Sequence, residues 1–468
     1  MSEQSLADLL AQHAPGSPAW EETFLILIAK RRQEQGGVEE YAKALANDLQ
    51  NSTANSTRLG RIGNAIASSA GLRTAINTID LCQLLLELRK PRIAIYDHTW
   101  QFIGGAQKYG ATMAETLKDL GEITLIGNRP FSSEHLTEWY RLDLKDCATR
   151  VIPLPFFEEK GGDDIDPADI TSRAMPNPFH AVSRASLDYD LFINNSMLEM
   201  VLPLANRSVF IIHFPERHQR SYFYVDRYSR LVCNSRYTAG WIEKRWGFKP
   251  HTHIYPPVDM PGPRQENKEP IILSAARFDP GGNKQQLDMI RAFQLLVRCR
   301  PQASRGWRLI LAGGSHGDNP YLRQVQQFLA THPGLPVELR VNITAAELQE
   351  LYRRASLFWH FCGLGQSNPA LVEHFGMTVA EAMQSGCIPL VFDGGGMREI
   401  VRSGENGYLF PSLAELVGTT IRLLDMPALR ANMAEAARNA GRSFTKEVFA
   451  GRVRALVQEL LAPVPLSI

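Results

Sequence analysis

From Pro91 onward the chain repeats one pattern, a short apolar run of strand length followed by a stretch long enough for a helix. A first series of such runs lies at Arg92–Tyr96, Ile123–Ile126, Leu191–Asn194, Val209–His213 and Leu231–Asn234. An amphipathic stretch, Ala106–Leu120, follows a glycine pair at Gly104 and Gly105. Strands alternating with helices form βαβ units around a parallel sheet covered on both faces. The polar, proline-rich Met260–Pro270 reads as a linker. A second series then predicts strands at Ile271–Ala275, Arg308–Ala312, Val337–Val341, Leu357–Phe361 and Ile388–Phe392, with helices at Lys284–Val297, Tyr321–Ala330 and Met377–Gln384. Thr344–Glu347 and Ser412–Glu415 carry the spacing of a capping box, in which hydroxyl and carboxylate answer each other's orphan amides.

The expected architecture is therefore α/β, with two doubly wound parallel-sheet lobes facing a cleft. Residues 91–262 form the first lobe, 263–445 the second, and 446–468 a closing helical segment whose docking site is open. Residues 1–90 read differently: helix-like stretches at Trp20–Gln35, Val38–Leu49 and Ala75–Leu88 are separated by polar segments, without strand-like runs. They predict a helical extension serving oligomerisation or partner recognition.

Lys plus Arg is 50 against 49 for Asp plus Glu, a balance that argues against nucleic acid as the main partner. No run of about 18 apolar residues is present, so no membrane span is expected, and MSEQSLADLLAQHAPG lacks the pattern of a secretory leader. The six cysteines are scattered singly, as reduced thiols in a cytoplasmic protein are.

The chemistry gathers in NPALVEHFGMTVAEAMQSGCIPLVFDGGGMREIV. Glu373 and Glu381 flank a predicted helix start, one before it and one inside it. Gly376 lets an anion approach the backbone, and the amides of Gly376, Met377, Thr378 and Val379 point outward with the helix dipole behind them. A capped helix with two surface acids would look the same in isolation. SAARFDPGGNKQQ adds Arg277 and Lys284 in a glycine-containing loop, two cations suited to neutralising a departing diphosphate. Gly394–Gly396 is either a tight turn or a second place of close ligand approach.

RF…NK, WHFCGLG, EHFGMTVAEAMQSGCIPLVFDGGGMREIV and GENGYLF, in order over residues 271–410, resemble the nucleotide-binding half of GT-B retaining glycosyltransferases of family 4. Within them, the sequence is most similar to the EHFG-type mannosyltransferases. IAIYDHTWQFIGGAQKYG and FIIHFPERH resemble the family's first lobe more weakly. The resemblance implies a GT-B fold of two Rossmann-like lobes. Arg277 and Lys284 would bind the donor diphosphate and Glu373 the sugar hydroxyls, with Phe375, Gly376, Met377 and Thr378 supplying the backbone cradle and Glu381 holding the ribose. Gly104 and Gly105 would approach from the opposite lobe, and His213 would contact the donor sugar. His213, Glu373, Arg277 and Lys284 are the implied catalytic set. The donor would be GDP-mannose or a UDP-sugar, the acceptor a glycan, polysaccharide or lipid-linked glycan. The reaction would proceed with retention and need no metal or further cofactor. Membrane contact would be peripheral, and the amino-terminal helices could support a homo-oligomer.

Metal-held diphosphate chemistry calls for an Asp-x-Asp after an early strand; Asp164–Asp166 and Asp188–Asp190 are short triplets of the kind chance supplies. Dinucleotide binding needs G-x-G-x-x-G, and Gly104, Gly105 and Gly110 have the wrong spacing. An inactive scaffold or a nucleotide-sugar epimerase of the same fold are the alternatives, and intact charged groups at the predicted site speak against the scaffold. His360 could line the cleft or satisfy a backbone carbonyl.

Overall fold

The computed structural model describes residues 90–154, 177–215, 222–260, 268–315 and 317–462. All of the expected amino-terminal extension except Lys90 lies outside them, as does Asp164–Asp166. Two parallel sheets organise the rest. The first lobe runs β1 (Arg92–Tyr96), α1 (Gly105–Leu117), β2 (Glu122–Gly127), α2 (Ser133–Tyr140), β3 (Ala148–Val151), α3 (His180–Ala185), β4 (Leu191–Asn194), β5 (Arg207–Ile212), β6 (Arg230–Cys233), α4 (Arg236–Trp246) and β7 (Thr252–His253). Its strand order is β3-β2-β1-β4-β5-β6-β7.

The second lobe runs β8 (Glu269–Ala275), α5 (Gln286–Cys299), β9 (Arg308–Gly313), α6 (Pro320–Ala330), β10 (Val337–Val341), α7 (Ala345–Arg354), β11 (Ala355–His360), α8 (Met377–Gln384), β12 (Ile388–Phe392), α9 (Met397–Ile400), β13 (Tyr408–Phe410), α10 (Leu413–Asp425) and α11 (Pro427–Gly441). Its order is β10-β9-β8-β11-β12-β13. Both are the doubly wound arrangement expected.

The apolar runs are continuous because each strand feeds two cores at once. Along β1, Ala94 and Tyr96 join Phe192 and Phe210 on one face, while Ile93 and Ile95 join Leu125 and Ile211 on the other. Along β8, Ile272 faces one core and Ile271 and Leu273 the other. The predicted helix at Met377–Gln384 is α8, and Thr344 and Glu347 form the full capping box at the start of α7. At α10 the Ser412 hydroxyl accepts from the Glu415 amide at 3.3 Å, an ordinary N-cap where a box was expected.

The closing helix α12 (Lys446–Leu461) belongs physically to the first lobe. Phe449, Val453, Leu456, Val457 and Leu460 complete the core of Ile93, Ile95 and Tyr109, and the Phe449 ring meets Tyr109 edge-on at 4.8 Å. The chain therefore crosses between lobes twice, and the crossings touch: the Val258 amide donates to the Phe444 carbonyl at 2.8 Å, beside a parallel bridge from Val258 to Thr445.

Phe449→Ala should cost about 3–5 kcal/mol, the range for emptying a buried aromatic site. Hydrogen exchange should quicken in β1 and β2 and stay unchanged in β8 and β9; equal loss of protection in both lobes would contradict this docking.

Candidate functional site

In an open α/β sheet, ligands gather beyond the carboxyl ends of strands where the winding reverses. That point lies between β8 and β11 in the second lobe and between β1 and β4 in the first. His360 is the last residue of β11, and Lys284 ends the loop between β8 and α5. Both converge on Glu373. Lys284 Nζ lies 3.0 Å from Glu373 Oε2, and His360 Nε2 lies 3.1 Å from the same oxygen. Lys284 Nζ also reaches Cys362 Sγ at 3.4 Å. Burial alone would raise the Glu373 carboxyl, but Lys284 and the His360 hydrogen bond outweigh it and hold it well below the carboxylate range. Burial works the other way on Lys284, where Glu373 and Cys362 leave the ammonium's pKa raised. Burial pushes the Cys362 thiol up to about 11, so it stays protonated at neutral pH. His360, Cys362 and Glu373 offer three ligand atoms within 4.8 Å of one another. The Lys284 ammonium already supplies a cation to two of them.

Glycines set the backbone around Glu373. Gly376, the N-cap of α8, has φ +97°, a left-handed conformation, and a Cβ there would lie 2.2 Å from Met397 Cε. The Gly396 amide donates to the Glu373 carbonyl at 2.8 Å, and a Cβ on Gly396 would sit 2.1 Å from the His374 carbonyl oxygen. Gly394–Gly396 is thus a turn that clasps the Glu373–Phe375 backbone. The Phe375 side chain is buried, stacked on Tyr255 at 5.3 Å, which leaves only its backbone to meet a ligand. The Val379 amide is taken by the Gly376 carbonyl at 3.0 Å, leaving those of Met377 and Thr378 at the open end of α8.

That end faces the first lobe. A Cβ on Gly105 would lie 3.0 Å from Met377 Sδ, so the starts of α1 and α8 meet across the gap. Gly104 and Gly376 cap these helices without a side-chain acceptor. Lys108 Nζ stands 3.5 Å from Glu381 Oε1, and the Tyr352 hydroxyl donates to Glu381 Oε2 at 3.0 Å. His213 is buried just beyond β5, its Nε2 3.1 Å from Asn195 Oδ1. The Asn195 amide donates in turn to Asp97 Oδ2 at 2.8 Å and to the Ala106 carbonyl at 2.9 Å, which leaves its oxygen to accept from His213. Burial pushes His213 down to about 4, so the ring is neutral at pH 7 with the proton on Nε2 and Nδ1 an acceptor. Its neighbour Phe214 meets the His374 ring edge-on at 5.2 Å. Glu399 of the second lobe accepts from the Arg236 amide at 3.0 Å and the Tyr237 amide at 2.6 Å, so it caps α4 of the first.

Among the residues singled out from sequence, Lys284 meets Glu373 directly, Gly105 meets Met377, and Glu381 faces the other lobe. Arg277 is exposed on the β8–α5 loop. Lys108, Tyr352 and Glu399 were not anticipated, because their partners lie 273, 29 and more than 140 positions away. Asp188 and Asp190 sit at the opposite end of the first sheet. Asp190 accepts from the Arg92 amide at 2.7 Å, where β1 begins, and Asp188 pairs with Arg150 at 2.9 Å.

Residues 259–440 match the family of glycosyl transferases group 1. The GDP-Man:Man(3)GlcNAc(2)-PP-Dol alpha-1,2-mannosyltransferase of Xenopus laevis is 28% identical over 234 residues, 47% of this chain and 46% of the relative. The protein of the same name from Homo sapiens is 29% identical over 236 residues, again 47% and 46%. The Dictyostelium discoideum protein of that name is 24% identical over 361 residues, covering 72% of this chain and 67% of the relative. The chain spans about half the length of the first of these relatives. Anabaena Alr3699/HepE, solved with UDP-glucose, is similar with TM-score 0.57 and 18% identity over 79% of this chain and all of that one. Sucrose-phosphate synthase of Thermosynechococcus elongatus is similar with TM-score 0.56 and 19% identity over 80% of this chain and 100% of that one. At these identities the likeness shows the fold, which is GT-B, and the match to glycosyl transferases group 1 falls on the second lobe.

Because Glu373 is held below its unfolded pKa, its contribution to stability is complete at neutral pH and is lost as pH falls below about 4. In Glu373→Gln the acid-side fall in urea-unfolding free energy should be shallower than in the wild type. The same slope in both proteins would rule out the charge pairing.

Proposed function

We propose that this chain, a GT-B protein with a glycosyl transferases group 1 domain, is a retaining mannosyltransferase that needs no metal. It would move the sugar of GDP-mannose onto a hydroxyl of a lipid-linked or polysaccharide glycan. One observation carries this reading: the starts of α1 and α8, both capped by glycine without a side-chain acceptor, meet across the gap between lobes. Two positive helix ends brought together repel unless an anion lies between them. A pyrophosphate bears the charge and the acceptor oxygens to occupy that place.

The neighbouring groups then have separate tasks. The Met377 and Thr378 amides and the exposed Arg277 bind the diphosphate oxygens, and Lys284 neutralises charge between phosphate and sugar. Glu373, kept ionised by Lys284 and His360, accepts from sugar hydroxyls. Glu381 accepts from the ribose, and Gly104 and Gly105 let the first lobe approach. Neutral His213 offers Nδ1 as an acceptor on the sugar's other side. In the reaction the anomeric carbon–oxygen bond breaks and its electron pair leaves on the diphosphate. The acceptor hydroxyl adds to the same face of the sugar, and its proton passes to a diphosphate oxygen. Preorganised cations and amides stabilise the charge that develops on the leaving group. Closure of the lobes keeps out water, which would otherwise hydrolyse the donor.

GDP-mannose is preferred because the relatives named above use GDP-Man, and the dolichol-linked glycan in their names favours a lipid-linked acceptor. Contact with the membrane carrying such an acceptor would be peripheral; among the described residues no helix is long and apolar enough to cross one. UDP-glucose bound to a protein of similar fold makes UDP-sugars the comparison donors.

A thermal-shift series in EDTA tests the donor. GDP or GDP-mannose should raise the unfolding temperature as concentration exceeds the dissociation constant, and NAD should not. Lys284→Ala and Glu373→Ala should each lower transfer at least about 100-fold, the scale for losing one preorganised charge. Dependence on Mg²⁺ or Mn²⁺ contradicts the metal-free reaction, and wild type and both variants alike at the background rate favour a scaffold.

A further inference from the structure

Glu373 presents its two carboxylate oxygens unequally. Lys284 and His360 both bind Oε2, at 3.0 and 3.1 Å, from opposite sides of the switch point. His360 is 2% exposed at the end of β11, and its ring lies parallel to Phe358. Its other nitrogen, Nδ1, is buried without a hydrogen-bond partner. An apolar side chain would fill that space without leaving a polar atom unanswered, so packing alone does not account for a histidine. A carboxylate oxygen only accepts, so Nε2 carries the proton and donates it. Lys284 alone could not fix the carboxylate, because an ammonium on a flexible stem is a point charge with rotating donors. The imidazole is rigid and immobilised in the strand, and it sets the plane in which the carboxylate stands.

We infer that His360 is a positioning residue: by sharing Oε2 with Lys284 it turns Glu373 Oε1 outward as the acceptor for a donor-sugar hydroxyl. The inference rests on the function proposed above and deepens it, because it separates recognition of the sugar from recognition of the diphosphate. His360 touches neither. It acts on the sugar through Glu373 and leaves the helix ends that meet the phosphates unchanged.

Calorimetry of GDP and of GDP-mannose binding distinguishes these roles, with UDP and UDP-glucose substituted if that is the pair the wild type binds. In H360A, GDP should bind within about twofold of wild type. The ratio of the GDP-mannose to the GDP dissociation constant should rise about tenfold, the scale of one hydrogen bond to a charged group. H360Q, whose amide nitrogen reaches as far as Nε2, should restore most of the ratio. Should H360A not fold, H360M occupies the same space without a donor and reads the same ratio. An unchanged ratio, or equal weakening of both ligands, overturns the positioning role. A wild-type protein that binds neither diphosphate nor nucleotide sugar overturns the proposed function itself, a result the ratio cannot produce.

Discussion

A carboxylate withdrawn from water is tolerated only where positive charge and hydrogen-bond donors meet it, and Glu373 imposes that requirement on three separate stretches of the second lobe. Lys284 comes from the loop after β8, His360 from the end of β11, and Glu373 from the segment before α8. The glycine turn after β12 holds that segment from behind through the Gly396 amide. Three adjacent strand ends of one sheet, those of β8, β11 and β12, are therefore committed to a single acidic group. Removing either Lys284 or Glu373 leaves the other's charge unanswered, which explains how a cation and an anion are kept side by side.

The second constraint is the seam between the lobes, where polar and aromatic side chains meet. Lys108 faces Glu381, Phe214 meets His374, and Glu399 accepts from the first two amides of a helix it does not belong to. Polar contacts of this kind exchange for water or ligand at modest cost, unlike a sheet of buried leucines. The lobes can thus be held in register and still part to admit a substrate. Under the proposed function, a ribose would have to compete with Lys108 for the Glu381 carboxylate.

Much of the frame was legible before any coordinates. Strands buried on both faces announce themselves as unbroken apolar runs, and β1, β8 and β12 begin and end close to where those runs do. β3, β7 and the three-residue β13 escaped notice. β3 is a mostly exposed edge strand without an apolar face, and β7 is two residues long. The Glu373–Gly376 cluster was readable because its chemistry is local: an acid, a glycine and a helix start within nine positions of Glu381. Lys284 was expected at the phosphates, yet its direct partner is Glu373, a contact that only the winding of the sheet produces. Lys108 and Glu399 have nothing local to mark them, since each acquires its meaning from a residue in the opposite lobe. The docking of α12 was unreadable for the same reason: its apolar face fits either lobe until the return crossing beside Val258 decides.

That return has a consequence for how the molecule is made. The second lobe is, in effect, an insertion between two parts of the first, since β1 and α1 share a core with Phe449 and Val453. During synthesis the ribosome releases the first sheet early, but it lacks the helix that completes the cover of one of its faces until residue 461 has emerged. The second lobe, contiguous in the chain, is ready sooner, although it is translated later. Completion thus runs against the order of translation: the nascent first sheet has α1 on that face, but the share of the core that Phe449, Val453 and Leu460 supply stays open until the last helix arrives.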